Sequence, residues 1–295
     1  MSPTLQNSSY VFRILYGMDA SIRWHGLRAA PHRPAAFNWV GFLLLLPTAA
    51  LALTWNPKTD APPANVGLDN ARQLDSAGNP HISYHDTAGG DLMYAAWNGT
   101  GWDVETVDST GQVGWYTALA LDSAGNPHIS YYDITNSDLK YAAWNGTGWD
   151  VETVDSAGQV GWYTALALDD AGRPRISYYD VGHGDLKYAA WDGARWVITT
   201  VDSAGQVGYH SSLALDSDGD PRISYYDITN TDLKYAAWDG AGWAVTTVDS
   251  SGDVGYYTTL ALDSAGRPRI SYYDLTHGDQ KSAAWDNGQW VVSSG

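Results

Sequence analysis

The chain has no cysteine among its 295 residues, so neither disulfides nor thiolate metal sites can contribute to it. Positive charge is also scarce. Sixteen Lys and Arg face 33 Asp and Glu, a formal net charge of −17. Arg13, Arg23, Arg28 and Arg33 lie in the first 52 residues, where Asp19 is the only acid, so the rest carries 12 bases against 32 acids. A surface that acidic repels phosphate backbones, which argues against nucleic acid as a partner and leaves membrane contact to the N-terminal segment alone. The eight histidines fall at no metal-binding spacing, and no cofactor is implied. Phenylalanine is nearly missing, at three residues beside 15 Trp and 20 Tyr. Trp and Tyr join a large apolar body to a polar handle, which suits crowded sheets and sugar-binding surfaces alike.

Long apolar runs are absent but for one, residues 37–53, FNWVGFLLLLPTAALAL. It follows a basic segment and ends in Ala50-Leu51-Ala52, a small-residue pattern of the signal-peptidase type. Pro47 interrupts a helix there. Residues 1–53 therefore read as a basic leader with an apolar signal peptide, cleavage being favoured because the run is short. The alternative is an uncleaved anchor at the lower length limit for spanning. Met18 is a second candidate start. Residues 54–64, rich in Pro, Asn and Thr, read as a linker, and everything after it is expected to be extracytoplasmic: secreted, or anchored through residues 37–53.

From residue 65 onward the chain is a repeat. The stretch Leu121–Asp133, LDSAGNPHISYYD, recurs from Leu74, Leu168, Leu215 and Leu262, with its first aspartate at Asp75, Asp122, Asp169, Asp216 and Asp263, always 47 residues apart. A fixed period of this length marks a solenoid or propeller. In the second copy four short strands are bounded by turn residues: Thr117 to Leu121, His128 to Tyr132, Leu139 to Trp144 and Trp149 to Val154. No sustained helical period occurs, so the class is all-β.

The faces of the strands order them in space. The first is apolar on both faces and small on one, as a crowded centre requires. The second and third carry bulk on both faces. The fourth alternates Trp149, Val151 and Thr153 with Asp150 and Glu152, which predicts one packed and one wet face at an outer edge. Four antiparallel strands graded from buried to wet, five times over, predict a five-bladed β-propeller with blades at about 65–111, 112–158, 159–205, 206–252 and 253–295. Each blade is continuous chain, with no strand lent across the seam between blades one and five. The first inner strand is also degraded, Ala71-Arg72-Gln73-Leu74 in place of Ala-Leu-Ala-Leu, so the seam is expected to be the weakest part.

The D-S-x-G-x-P-x-I-S-Y-Y-D and L-K-Y-A-A-W phrases resemble those of secreted bacterial β-propellers built from near-identical repeats. Blade number and repeat length are similar to the five-bladed lectins of the tachylectin type. The first resemblance covers residues 65–295 and implies the fold. The second is one of architecture and implies sugar binding, with no residue-by-residue match to that family's sugar motif.

Candidate binding groups fall at the end of each blade where the second and third strands are joined. The passage between blades presents Trp115-Tyr116, Trp162-Tyr163, Tyr209-His210 and Tyr256-Tyr257. The short loop presents Asn136, His183, Asn230 and His277 at one equivalent position, with Gly89 in blade one. An aromatic platform beside a hydrogen-bonding side chain suits a sugar, whose C–H face stacks while its hydroxyls bond. The alternative is that the aromatics wedge between blades and the Asn, His and Gly serve the turn. Asp216-Ser217-Asp218-Gly219-Asp220 resembles part of a calcium loop but lacks the downstream bidentate glutamate, and reads as a turn. Asp133 and Asp138 recur as paired carboxylates flanking the loop, the only basis for a glycosidase reading.

Repetition argues against an enzyme, because an active site needs unlike groups, normally built once. The expectation is a multivalent binding module with no catalytic residues and no metal, its partner a glycan. A protein-interaction or structural scaffold is the alternative.

Overall fold

The computed structural model describes residues 66–294; the leader, the apolar run and the linker lie outside the described residues. Twenty strands follow one another. Blade one holds β1 (Val66–Leu74), β2 (Pro80–Asp86), β3 (Asp91–Trp97) and β4 (Trp102–Asp108). Blade two holds β5 (Val113–Leu121), β6 (Pro127–Asp133), β7 (Asp138–Trp144) and β8 (Trp149–Asp155). Blade three holds β9 (Val160–Leu168), β10 (Pro174–Asp180), β11 (Asp185–Trp191) and β12 (Trp196–Asp202). Blade four holds β13 (Val207–Leu215), β14 (Pro221–Asp227), β15 (Asp232–Trp238) and β16 (Trp243–Asp249). Blade five holds β17 (Val254–Leu262), β18 (Pro268–Asp274), β19 (Asp279–Asp286) and β20 (Gln289–Ser294).

Each blade is one four-stranded antiparallel sheet in chain order. The inner strands pack in series, β1 on β5, β5 on β9, β9 on β13 and β13 on β17, and the five sheets form a five-bladed β-propeller. The turn chemistry explains the hairpins. Asp122 Oδ1 accepts the backbone N–H of Ala124 and of Asn126, both at 2.8 Å, while Gly125 takes φ of 86°. Asp carboxylates that satisfy their own turn in this way favour it over extended backbone.

The core lies between blades. At the second interface Leu139 and Tyr141 of blade two meet Val160, Ile176 and Tyr178 of blade three, with Trp196 packed on the outside. Leu139, Val160, Ile176 and Tyr178 are fully buried. Burying each such side chain contributes roughly 1.5–3 kcal/mol. Blade-to-blade approach is close enough to require glycine: a Cβ on Gly161, at φ +106°, would lie 2.9 Å from the Leu139 Cα. On the outer side Trp196 meets the Tyr141 ring edge-on at 5.4 Å, and Trp149 does the same to Tyr94 at 5.3 Å.

Two expectations about the strands are corrected. The inner strand does not begin at Thr117 but at Val113, so Trp115 and Tyr116 belong to it and not to the passage between blades. The pairing with β6 shifts register between Val113 and Trp115 and again before Ala118, and Tyr116 adopts φ of 51°. This bulge recurs at Tyr163, His210 and Tyr257. The outer strand has no packed face along most of its length either: Val104 is 52% and Val151 39% exposed. Blades diverge with distance from the axis, so the middle of the outermost strand meets little; its Trp and the Val–Asp pair at its far end, Val154 and Asp155 in blade two, are what the interface covers.

Candidate functional site

The inner-strand bulge sorts the eight aromatic candidates into two sets. Trp115, Trp162, Tyr209 and Tyr256 lean toward the preceding blade. Trp115 meets His85 at 4.8 Å, Trp162 meets Tyr132 at 6.0 Å, Tyr209 meets Tyr179 at 4.4 Å and Tyr256 meets Tyr226 at 4.2 Å between ring centres. These rings are half-buried, and the indole N–H groups of Trp115 and Trp162 are buried without a partner.

Tyr116, Tyr163, His210 and Tyr257 form the second set. Their ring centres run in one ladder with spacings of 4.5, 4.4 and 4.4 Å, from blade to blade along the inner strands. Asp69, with φ of 49°, occupies the corresponding place in blade one. Burial pushes its carboxyl above the usual range, and the Tyr116 backbone and His85 offset this only in part. Burial likewise holds the His210 imidazole down to about 4, so this ring is uncharged at neutral pH. Beneath the rings, hydroxyl pairs cross the interfaces: Ser83 with Thr117 at 2.9 Å, Ser130 with Thr164 at 2.8 Å and Ser177 with Ser211 at 2.9 Å.

The loop residues sit in their own turns. Asn136 Nδ2 donates to Asp133 Oδ2 at 2.8 Å, and Asn230 to Asp227 at 2.9 Å. His183 Nδ1 lies 3.0 Å from Asp180 Oδ2, and His277 Nδ1 lies 2.9 Å from Asp274 Oδ2. Gly89 fills the position in blade one, its N–H on Asp86 Oδ2 at 3.1 Å. The side chains of His183 and His277 remain 67% and 63% exposed, so Nε2 is left to solvent. The structure thus brings the aromatics together and leaves the Asn and His groups in separate turns at the same end of each blade.

That end is woven to the next blade through the backbone: Val160 N–H donates to Ser137 O at 3.0 Å and Val207 N–H to Gly184 O at 2.8 Å. It is also where charge concentrates. Lys187 Nζ lies 3.0 Å from Asp180 and 3.6 Å from Asp155, and Asp185 stands opposite Asp180 in the β10–β11 pairing. Burial alone would raise the Asp180 carboxyl, but hydrogen bonds from Lys187 and His183 outweigh it and hold it below the ordinary range. Asp185 is pushed up, first by burial and then by the neighbouring Asp180 charge. Carboxylate oxygens with spare lone pairs beside half-buried rings can accept hydroxyl hydrogens while a C–H face stacks.

Reading the sequence missed several of these partners: Tyr132, Tyr179 and Tyr226, which pack on the aromatic candidates, and Asp69 at the head of the ladder. The repeated SYYD phrase carried the signal, since two adjacent tyrosines on a strand face opposite blades.

No family model and no curated protein matches the chain. Among solved structures, the SapL1 lectin in complex with alpha methyl fucoside is 19% identical, over 78% of this chain and 79% of that one, with a TM-score of 0.53. A protein of unknown function from Dyadobacter fermentans is 10% identical over 78% and 83%, with a TM-score of 0.56. An ulvan lyase, a polysaccharide lyase bound to -[GlcA(1-4)Rha3S]-, is 13% identical over 77% and 73%, with a TM-score of 0.52. Identities this low mark a shared fold, one used by sugar-binding and sugar-cleaving proteins alike.

Proposed function

We propose that this chain is an extracytoplasmic, multivalent carbohydrate-binding propeller of lectin type, without catalytic activity, with one shallow site at each interface between consecutive blades. The observation that carries the reading is the fourfold recurrence of one constellation: an aromatic pair across the blade boundary beside a carboxylate-lined loop, as with Trp162, Tyr132 and Asp133. Trp115, Trp162, Tyr209 and Tyr256 supply the stacking face. Asn136, His183 and Asn230 supply donors and acceptors at three of the four rims; Gly89 stands at the first, and His277 holds the same position on blade five, past the fourth boundary. Several weak, equivalent sites gain strength on a multivalent surface through effective concentration. A neutral methyl fucoside, the ligand of the SapL1 lectin, is the first probe. A neutral sugar also suits a surface whose net charge repels uronates and sulfated glycans.

A glycan array tests this reading. Retention of a defined glycan class, weakened in a Trp115→Ala/Trp162→Ala variant that keeps its fold, supports it. Retention of no glycan, together with capture of a protein partner, favours the scaffold reading, which the buried indole N–H groups of Trp115 and Trp162 would then explain.

A second reading has one observation of its own. Asp180 and Asp185 are paired carboxylates whose proton affinities are driven apart, the arrangement of a glycosidase acid and base. Release of reducing ends from any glycan retained on the array, abolished by Asp185→Asn, would establish it in place of the first.

A further inference from the structure

At the end of the blades opposite the aromatic candidates, blades two and three part to form a cleft of about 520 Å³, a size that accepts a small ligand. Its floor is one face of blade two. His128, Ala143 and Asp150 stand side by side across β6, β7 and β8, and the next row on that face holds Tyr141 and Glu152. The facing wall is the β9–β10 turn of blade three with Arg173, joined by Trp191 from the end of β11.

The floor carries two negative charges and no cation. Asp150 and Glu152 are exposed, and among the described residues none donates to either carboxylate. Their counterparts in blade one are engaged: Asp103 accepts the Asn98 amide at 3.0 Å, and Glu105 accepts the Trp149 indole N–H at 3.1 Å. At the second boundary the matching indole N–H, that of Trp196, is buried without a partner, so Glu152 does not make that bond. His128 Nδ1 is hydrogen-bonded to the Tyr141 hydroxyl. Burial lowers the proton affinity of the His128 ring by more than Asp122, 3.8 Å from Nε2, raises it, so the imidazole is neutral at pH 7. On the wall, Asp169 Oδ2 holds Arg173 Nε at 2.8 Å and leaves the Nη donors unpaired.

The other boundaries do not assemble this set. The first has Asn126 in place of Arg173, the third has Val197 and Thr199 in place of the two acids, and the fourth has Ala244 and Thr246. The groups at the second boundary are unlike one another and occur together once.

Two unpartnered carboxylates beside a neutral imidazole select a cation, and the overall charge of −17 favours one at longer range. A bare ammonium would leave the rest of the cleft unused. Trp191, half-buried and held edge-on by Trp196 at 5.6 Å, offers a ring face for C–H stacking. The Arg173 Nη groups need acceptors, and hydroxyl oxygens supply them without bringing a second anion beside Asp169. We propose that this cleft is a single binding site for an amino sugar with a free ammonium, the ammonium on Asp150 and Glu152, the ring on Trp191 and the hydroxyls on Arg173. The site shares no residue with the neutral-sugar sites at the opposite end and stands independently of them.

Isothermal titration with glucosamine tests this, with N-acetylglucosamine as the control, since acetylation removes the charge and keeps the ring. The natural chain should bind one glucosamine, and N-acetylglucosamine at least about tenfold more weakly; Asp150→Asn/Glu152→Gln should weaken glucosamine by a similar factor. An unchanged melting temperature shows that this variant keeps its fold, and if it does not, Glu152→Gln alone carries the same outcomes. Equal binding of the two sugars, no binding of glucosamine, or a folded variant that binds it undiminished would overturn the proposal. So would serine, a zwitterion without a sugar ring, binding as tightly. Glucosamine displaced by methyl fucoside would overturn this site and leave the neutral-sugar reading standing. One glucosamine held by a chain that ignores methyl fucoside would support this site and count against that reading.

Discussion

The hydroxyl of Tyr225 in blade four donates to the Asp202 carboxylate at the end of blade three, 2.7 Å away. Lys234 Nζ reaches the same oxygen at 2.8 Å. The bond recurs from Tyr131 to Asp108, from Tyr178 to Asp155 and from Tyr272 to Asp249. A tyrosine and a lysine of one blade therefore clasp the last carboxylate of the blade before it, deep in the interface.

Removing the hydroxyl and removing the ammonium should cost different amounts. Tyr225→Phe leaves Asp202 paired with Lys234 and should lose roughly 1–2 kcal/mol. Lys234→Met strands Asp202 and also Asp227, 3.4 Å from the ammonium, and should lose roughly 3–5 kcal/mol. Denaturant unfolding at neutral pH reads both, and equal losses would show that the ammonium contributes no more than the hydroxyl.

Stability should fall in two stages as pH drops. Burial holds His210 near 4 against an ordinary 6.5, so the unfolded chain binds its proton first and stability is lost between those values. Asp108, Asp202 and Asp249 come next. Burial raises each, but hydrogen bonds from lysine and tyrosine outweigh it and leave the carboxyls below 3.8, so their contribution is present above about pH 4 and lost below it. His210→Tyr, the residue found at positions 116 and 163, should flatten the first stage and leave the second. Melting temperatures at half-unit steps from pH 7 to 3 check this, and an unchanged first stage would place the titrating group elsewhere.

Two glycines with nearly the same backbone separate conformational strain from close approach. Gly158 has φ of +107° and open space around its missing Cβ, whereas Gly161 at +106° has the Leu139 Cα 2.9 Å away. Gly158→Ala should cost roughly 1–2 kcal/mol from the left-handed conformation alone. Gly161→Ala adds an overpacking cost of roughly 1–3 kcal/mol and should unfold at visibly lower denaturant. Equal midpoints would mean that the blades separate readily.

Much of the fold was written in the repeat itself. The turn at Asp122-Gly125 and the hydrophobic faces of HISYY and LKYAAW set strand ends to within a residue or two. The start of the inner strand was not legible, because Tyr116 holds a left-handed φ that its residue type disfavours. Nor was the close approach of Gly114 to Leu92 beside that bulge, which no local preference reports. The Asp202–Tyr225–Lys234 clasp was legible in principle, as its three members recur at fixed offsets, but each taken singly looks like a surface charge or a core tyrosine. The site was legible as a set of residue types and not as a shape. Sequence placed Trp162 and Asn136 at one end of a blade, but it could not show that the indole N–H is buried while the amide is turned onto Asp133.

The most direct test of the central claim is binding stoichiometry. Isothermal titration of the protein with a monovalent sugar, methyl fucoside first and then the best ligand from a glycan array, should give about four equivalent sites per chain, one for each dry blade boundary. The Trp115→Ala/Trp162→Ala variant should bind about half as many. A single site per chain, or no heat with any glycan tested, would contradict the account.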